Sequence, residues 1–66
     1  MRLRVNGQDR DVPEGETLAH LLSSLELPAG RVAVERNGEI VPRDGYEGAV
    51  LAAGDRIEIV QFVGGG

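Results

Sequence analysis

Apolar and polar residues alternate along the first residues of the chain. The apolar residues of this stretch are Met1, Leu3 and Val5. A period of two is typical of a strand that buries one face. The dipeptide Asn6–Gly7 follows, and because it favours a tight turn we expect the chain to fold back as a hairpin. The returning segment has one apolar residue before Pro13, which suits a short, charged strand at the edge of a sheet.

The period changes between residues 14 and 30. Leucines now recur at spacings of three, four and seven, the pattern of one apolar stripe along a helix. They are Leu18, Leu21, Leu22 and Leu25. Thr17 is the expected N-cap, with Glu14 and Glu16 placed favourably near the positive end of the helix dipole. Pro28 and Gly30 are predicted to end the segment.

The remaining residues predict three more strands. A second turn at Asn37–Gly38 divides residues 31–41 into a hairpin, and residues 42–55 read as irregular with a short helical turn. Residues 56–63 form the last strand. The order β-β-α-β-β-β predicts an α+β protein, in which one helix lies across one face of a five-stranded mixed sheet. The first and last strands should be neighbours at its centre, and the crossover before the third strand should be helical, as parallel neighbours require.

The last predicted strand has one apolar face and one mixed face. Ile57 and Ile59 share the first face. The alternate residues, on the second face, are Arg56, Glu58, Val60 and Phe62. Exposed apolar residues beside a functional element mark an interface, so we interpret Val60 and Phe62 as a surface that docks a partner. The alternatives are that the loop at Tyr46 covers them, or that single exposed apolar residues need no explanation.

Composition excludes several classes of function. The chain has 66 residues, a net charge of −4, no cysteine and one histidine, His20, and all seven of its basic residues are arginines. It is short enough for a single domain. An acidic chain without a basic stripe is a poor nucleic-acid binder. Disulfides and a soft-ligand metal site are excluded, and no apolar run approaches the length of about 20 residues that spans a membrane. We therefore expect a cytoplasmic protein.

The polar residues inside the predicted fold form no catalytic set. His20 lies opposite the leucine stripe, and no cysteine, serine or acid is placed to form a catalytic pair with it, so we interpret it as a surface histidine. Asp9 and Asp11 share one face of the edge strand and resemble paired catalytic carboxylates, but solubilising charges are the simpler interpretation. Ser23 and Ser24 have no activating base nearby in the sequence.

The chain ends in three glycines, Gly64, Gly65 and Gly66. Without side chains they can enter a channel too narrow for other residues, and three residues reach on the order of 10 Å. A terminal carboxylate is a poor electrophile, but an acyl-adenylate is strongly activated, and attack by sulfur would convert it to a thiocarboxylate. We expect a folded domain of residues 1–63 and a flexible tail of residues 64–66 that carries the chemistry.

Several stretches resemble the ThiS family, the sulfur carriers of thiamine thiazole biosynthesis. They are VNGQ, TLAHLL, VAVERNGEIVPR and LAAGDRIEIVQFVGGG. The most specific set is NGEIVPR followed by GDRIEIV and a C-terminal diglycine, and the resemblance covers essentially the full length. It implies the β-grasp, ubiquitin-like fold, which agrees with the predicted order of elements.

The resemblance also implies a carrier rather than an enzyme. An E1-like adenylyltransferase (ThiF-like) would use ATP and Mg²⁺ to adenylylate Gly66, and a sulfur donor derived from a cysteine desulfurase would give the thiocarboxylate. A thiazole synthase (ThiG-like) would accept the sulfur. Gly64 and Gly65 would thread into both partners. The docking surface would consist of Val60, Phe62 and Val63. The carrier itself would bind no cofactor or metal and would be a monomer when free.

Two alternatives remain open at this point. One is a sulfur carrier for molybdopterin synthesis or another pathway, although those small subunits are typically longer and the short NGEIVPR hairpin argues against them. The other is a non-covalent β-grasp interaction module with inert glycines, which would tolerate an extension of its tail.

Overall fold

Five strands and one α-helix follow one another in the predicted order. The computed structural model describes residues 1–62 of the chain. The elements are β1 (Arg2–Val5), β2 (Gln8–Asp11), α1 (Leu18–Ser24), β3 (Val32–Arg36), β4 (Glu39–Val41) and β5 (Arg56–Gln61). Two short 3-10 turns, Ala29–Arg31 and Arg43–Gly45, complete them. The end of the predicted domain, Val63, and the predicted tail, residues 64–66, lie outside the described residues.

The strands form one mixed sheet with the spatial order β2-β1-β5-β3-β4. The first and last strands are therefore central neighbours, as predicted, and they run parallel. The pairs β1–β2, β3–β4 and β3–β5 are antiparallel. The crossover from β2 to β3 is helical, but these two strands are not adjacent. The expectation that the crossover joins parallel neighbours is therefore wrong, because the parallel pair is β1 and β5.

Both Asn-Gly dipeptides form the hairpin turns that the sequence predicts. Asn6 and Gly7 have φ angles of 49° and 80°, and Asn37 and Gly38 have φ angles of 52° and 86°. Two successive left-handed residues are the signature of a type I′ turn, whose twist matches that of the flanking strands. The edge strand β2 is exposed along its whole length, also as predicted.

The helix packs its leucine stripe against one face of the sheet. Leu18, Leu21 and Leu22 are buried, and Leu25 is partly buried at the end of the helix. The other fully buried side chains come from the strands and include Leu3, Val34 and Ile57. Thr17 is the N-cap, because its Oγ1 accepts a hydrogen bond from the N–H of His20 at 3.1 Å.

The helix ends earlier than the sequence suggested. It stops at Ser24 rather than near Pro28 and Gly30. The N–H of Glu26 donates to the carbonyl of Ser23 (3.0 Å), and the N–H of Leu27 donates to the carbonyl of Leu22 (2.9 Å). This pair of bonds is a Schellman motif, in which the residue after the cap is left-handed and is usually glycine. Glu26 occupies that position with a φ angle of 60°.

Asp55 is buried at the point where three segments meet. Its carboxylate accepts hydrogen bonds from Nε of Arg36 (2.9 Å), Nδ2 of Asn37 (3.0 Å) and the N–H of Ala52 (2.8 Å). Burial alone would raise the pKa of this carboxyl. The hydrogen bonds and the adjacent Arg36 charge outweigh burial, so the pKa of Asp55 lies below its usual range.

Replacing Glu26 by glycine should stabilise the domain. The left-handed conformation strains a residue with a Cβ by roughly 1–2 kcal/mol. Glycine removes that strain but adds about 0.5–1 kcal/mol of chain entropy to the unfolded state. We expect Glu26→Gly to raise the free energy of unfolding, measured by urea denaturation, by about 0.5–1 kcal/mol. Glu47→Gly is the matched control, since Glu47 is exposed and its φ angle is not positive. Equal destabilisation by both substitutions would contradict the account of the helix end.

Asp55→Asn should reduce stability in a pH-dependent way. The asparagine amide replaces one acceptor oxygen of the Asp55 carboxylate by an NH₂ donor, which would face the donors that surround it. We therefore expect the free energy of unfolding to fall by about 1–3 kcal/mol at pH 7. The pKa of Asp55 in the folded protein lies below its value in the unfolded chain, which is about 3.9. The stabilisation by the Asp55 charge is therefore complete above the unfolded pKa and is lost as the pH falls through the folded pKa. The difference between wild type and variant should therefore shrink below about pH 4. Asp44→Asn, at an exposed residue, is the control. A difference that stays constant down to acid pH would refute the role of the Asp55 charge.

Candidate functional site

The strand that leads to the predicted tail is β5, and side chains from both hairpin turns hold its backbone. β1 pairs with β5 over only two residue pairs. Asn6 extends this pairing, because its Nδ2 donates to the carbonyl of Ile59 (3.2 Å) and its Oδ1 accepts from the N–H of Ile59 (2.7 Å). At the start of β5, Oδ1 of Asn37 accepts from the N–H of Arg56 (2.9 Å). Sequence reasoning treated both asparagines as turn residues only and missed these bonds.

On its other side β5 is paired along most of its length. Five residue pairs join it to β3, from Val32–Gln61 to Arg36–Ile57. The N–H of Phe62 then donates to the carbonyl of Arg31 at 2.8 Å. The backbone is therefore fixed by hydrogen bonds as far as Phe62, the last described residue, which sets the point from which the predicted tail continues.

The sheet face opposite α1, here called the outer face, carries the predicted docking residues. Val60 and Phe62 are 61% and 58% exposed. Tyr46 does not cover them, because it is buried in the core and its hydroxyl donates to the carbonyl of Val32 (3.4 Å). The predicted exposure of Val60 and Phe62 is confirmed, whereas their role in docking stays a prediction. Val63 lies outside the described residues.

Sequence reasoning missed one exposed apolar residue of the outer face. Ile40 is 77% exposed, and the strand register places it opposite Glu35 of β3. Because β4 has only three residues, the sequence pattern does not reveal which face it buries. Among residues 1–62, the large exposed apolar residues of this face are Ile40, Val60 and Phe62.

The carboxylates of the edge strand form ion pairs with β1. Arg4 contacts Asp9 at 3.3 Å and Arg2 contacts Asp11 at 3.2 Å. The hydrogen bond from Arg2, with its charge, holds the pKa of Asp11 below the usual range. Arg2 also lies 4.0 Å from Asp9, so arginines of β1 neutralise both carboxylates on an exposed strand. This arrangement suits solubilising charges and not a pair of catalytic acids.

His20 has an acidic partner, which sequence reasoning did not foresee. Its side chain is exposed, but Nδ1 contacts the carboxylate of Glu16, which is buried. The carbonyl of Glu16 accepts a hydrogen bond from the N–H of Leu51 (2.8 Å). This bond fixes the backbone of Glu16 just before the N-cap of α1. His20 is therefore a surface histidine, as predicted, but an acid does lie beside it. The contact with His20 gives the buried carboxylate of Glu16 a hydrogen-bond partner. Among the described residues, every buried side-chain nitrogen or oxygen atom has such a partner.

Metal and membrane sites are not found among residues 1–62. No group of three or more histidine, cysteine, aspartate or glutamate residues is placed to hold a metal ion there. Over the same residues no helix has the length and apolar character needed to cross a membrane.

Comparison with known proteins gives consistent matches. The model of the ThiS family matches residues 3–66. The sulfur carrier protein ThiS of Bacillus subtilis is 43% identical over 65 residues, which cover 97% of this chain and 98% of that protein. A crystal structure of the thiamine biosynthesis protein ThiS from Geobacter metallireducens superposes with a TM-score of 0.85 at 38% identity, and all of both chains is covered.

A second kind of relative is much longer. The thiazole synthase of Paramagnetospirillum magneticum is 44% identical over 66 residues, which are all of this chain but 20% of that protein. The thiazole synthase of Magnetococcus marinus matches in the same way, at 42% identity. The chain therefore spans about a fifth of the length of these two relatives.

Phe62→Asp should leave the fold intact and weaken binding to the expected E1-like partner. Substitutions at exposed positions usually change stability by less than about 0.5 kcal/mol. Thermal denaturation followed by circular dichroism should therefore give a melting temperature close to that of the wild type. Ile59→Asp, on the buried face of the same strand, should abolish the folded state. If Phe62→Asp unfolds the chain as well, Phe62 belongs to the core and not to a docking surface.

Proposed function

The chain belongs to the ThiS family, and from that premise we propose that it carries sulfur for thiazole formation in thiamine biosynthesis. The observation that carries this proposal is the match to the Bacillus subtilis sulfur carrier, which extends over nearly the whole of both proteins. The fold, a β-grasp sheet with one helix, is the one found in the Geobacter relative. The named relatives concern thiamine or thiazole, which favours this pathway over molybdopterin synthesis.

The proposed chemistry takes place at the carboxylate of Gly66. An E1-like adenylyltransferase transfers AMP from ATP to this carboxylate with the help of Mg²⁺, and pyrophosphate leaves. The outer sulfur of a persulfide that a cysteine desulfurase supplies then attacks the acyl-adenylate and displaces AMP, which gives an acyl disulfide. A thiol of the sulfur donor cleaves its S–S bond, is itself oxidised to a disulfide and releases the thiocarboxylate. In this proposal the chain is a protein substrate of its partners, not an enzyme, and it holds no cofactor or metal of its own. We place it in the cytoplasm as a monomer.

The described domain supports this chemistry by fixing where the tail begins. Phe62 is held by its hydrogen bond to Arg31, and residues 63–66 can span at most about 14 Å beyond it. Any active site that reaches Gly66 must therefore approach the same end of the sheet. We propose that Val60, Phe62 and Val63 contact the partner there while Gly64 and Gly65 enter its channel.

Thiazole synthase is the proposed acceptor of the sulfur. Two relatives with that name contain a segment that matches this whole chain. A carrier-like segment and the rest of a thiazole synthase thus occur in one polypeptide, which supports direct association of the two parts. The E1-like enzyme and the sulfur donor follow from membership of the family.

Adding one alanine after Gly66 should abolish sulfur transfer without affecting the fold. The reactive carbonyl would move by about 3.5 Å, and a misplacement of about 1 Å already reduces rates roughly a hundredfold. Deleting Gly66 should be nearly as damaging, because the arm becomes too short. Each protein would be incubated with the E1-like partner, ATP, Mg²⁺ and a sulfur donor, and then measured by intact-mass spectrometry.

In the wild type one oxygen should be replaced by sulfur, and fragmentation should locate the exchange on Gly66. Melting temperatures of all three proteins serve as the control and should agree. A wild type whose mass never changes, or an extended chain that still supports thiazole formation, would leave the carrier function without support. The second outcome would favour a non-covalent interaction module.

A further inference from the structure

Two glutamates lie directly opposite each other on the outer face. The register of β3 and β5 pairs Glu35 with Glu58, and both side chains are exposed. The Cβ atoms of such cross-strand partners are about 4.5–5.5 Å apart, and like charges in this arrangement destabilise a sheet. The pair therefore weakens the free domain, and no feature of the fold requires it.

No cation of the described residues neutralises this pair. On the same face Arg2 and Arg4 form ion pairs with the carboxylates of β2. Within residues 1–62, Glu35 and Glu58 form no salt bridge, and neither does Arg56, which precedes Glu58 by two residues on β5. Arg2 and Arg4 thus pair with the aspartates of the edge strand, and the two central glutamates are left without a salt bridge within the described part of the chain.

Exposed apolar side chains flank the two carboxylates. Ile40 lies opposite Glu35 on β4, and Val60 follows Glu58 on the same face of β5. A partner that packs on Ile40 and Val60 would remove water from the carboxylates between them. Removing water from unpaired charges costs several kcal/mol, so the partner must supply a cation at this point.

The predicted tail follows this pair closely along the same strand. Glu58 precedes Phe62 by four residues, or about 13 Å along a strand. A stable interface covers about 800 Å² of each protein, a patch roughly 30 Å across. A partner whose contact surface extends from Phe62 inward over the outer face therefore covers Glu58 and Glu35 as well.

We propose that the Glu35–Glu58 pair receives an arginine side chain of the thiazole synthase, with apolar neighbours of that arginine packed on Ile40 and Val60. A guanidinium has several donors in a planar fork and can bind two adjacent carboxylates at once. This inference rests on the proposed function, because the tail is what brings the partner to this face. The inference adds to that function a specific contact, between two carboxylates and a guanidinium, by which the carrier recognises the synthase.

The test compares two double substitutions that change the net charge equally. Glu35→Gln with Glu58→Gln removes the pair. The control, Glu39→Gln with Glu47→Gln, neutralises two exposed glutamates away from the pair. Glu39 is next to Ile40 in β4 and therefore points to the face opposite the outer face. The probe is the purified thiazole synthase of the organism that encodes this chain. Its dissociation constant is measured by titration at low and high salt.

We expect the Glu35/Glu58 variant to bind the synthase about tenfold more weakly and to lose most of the salt dependence. The control should stay within about twofold of the wild type. The melting temperature of the Glu35/Glu58 variant should be equal to or above that of the wild type, because the like-charge repulsion is gone. Weaker binding together with unchanged or greater stability distinguishes a recognition role from a structural one.

Equal binding by the Glu35/Glu58 variant and the control would overturn the inference, and so would a wild type that does not bind the synthase. Intact-mass measurement of sulfur on Gly66 is run in parallel with the E1-like enzyme. If the wild type acquires sulfur but the substitutions do not affect synthase binding, only the acid-pair inference fails. If the wild type never acquires sulfur, the carrier function fails, whatever the binding data show.

Discussion

The position of β5 depends on two asparagine side chains that act in place of missing strand neighbours. An amide side chain has one donor group and one acceptor, as a peptide group does, so it can satisfy both the N–H and the C=O of a strand residue. Asn6 does this for Ile59 where β1 has already ended. Asn37 binds the N–H of Arg56 at the other end of the strand. The same residues form the hairpin turns, so two local motifs also fix the central strand.

This constraint couples the core to the surface. Within β5, Ile57 and Ile59 are buried, while Glu58 and Val60 are exposed on the outer face. A slip of one residue in register would exchange the two sets, bringing a carboxylate into the core and isoleucines to the surface. The hydrogen bonds that keep the core in place therefore also determine which residues a partner meets beside the tail.

Local patterns predicted most of this fold, but they missed contacts between distant residues and local departures from the usual residue preferences. Period-two alternation, the leucine stripe and the Asn-Gly turns depend on neighbours in sequence, and the structure confirms them. The bond between Asn6 and Ile59 joins residues 53 positions apart and leaves no local signal. Glutamate is unusual in a left-handed helix cap, so Glu26 could not be foreseen as the end of α1. The proposed chemistry of the tail could be inferred from the sequence because it depends on composition and not on packing.

The central place of β5 also determines how the domain responds to mechanical load. A partner that grips the tail transmits force along β5, between β1 and β3. The hydrogen bonds to both neighbours run across the strand, so such a force shears them together instead of opening them one after another. The two asparagine amides carry part of the same load. A force applied at the C-terminal end of β5 must therefore break these hydrogen bonds at the same time, and it cannot peel the last strand from the sheet one bond after another.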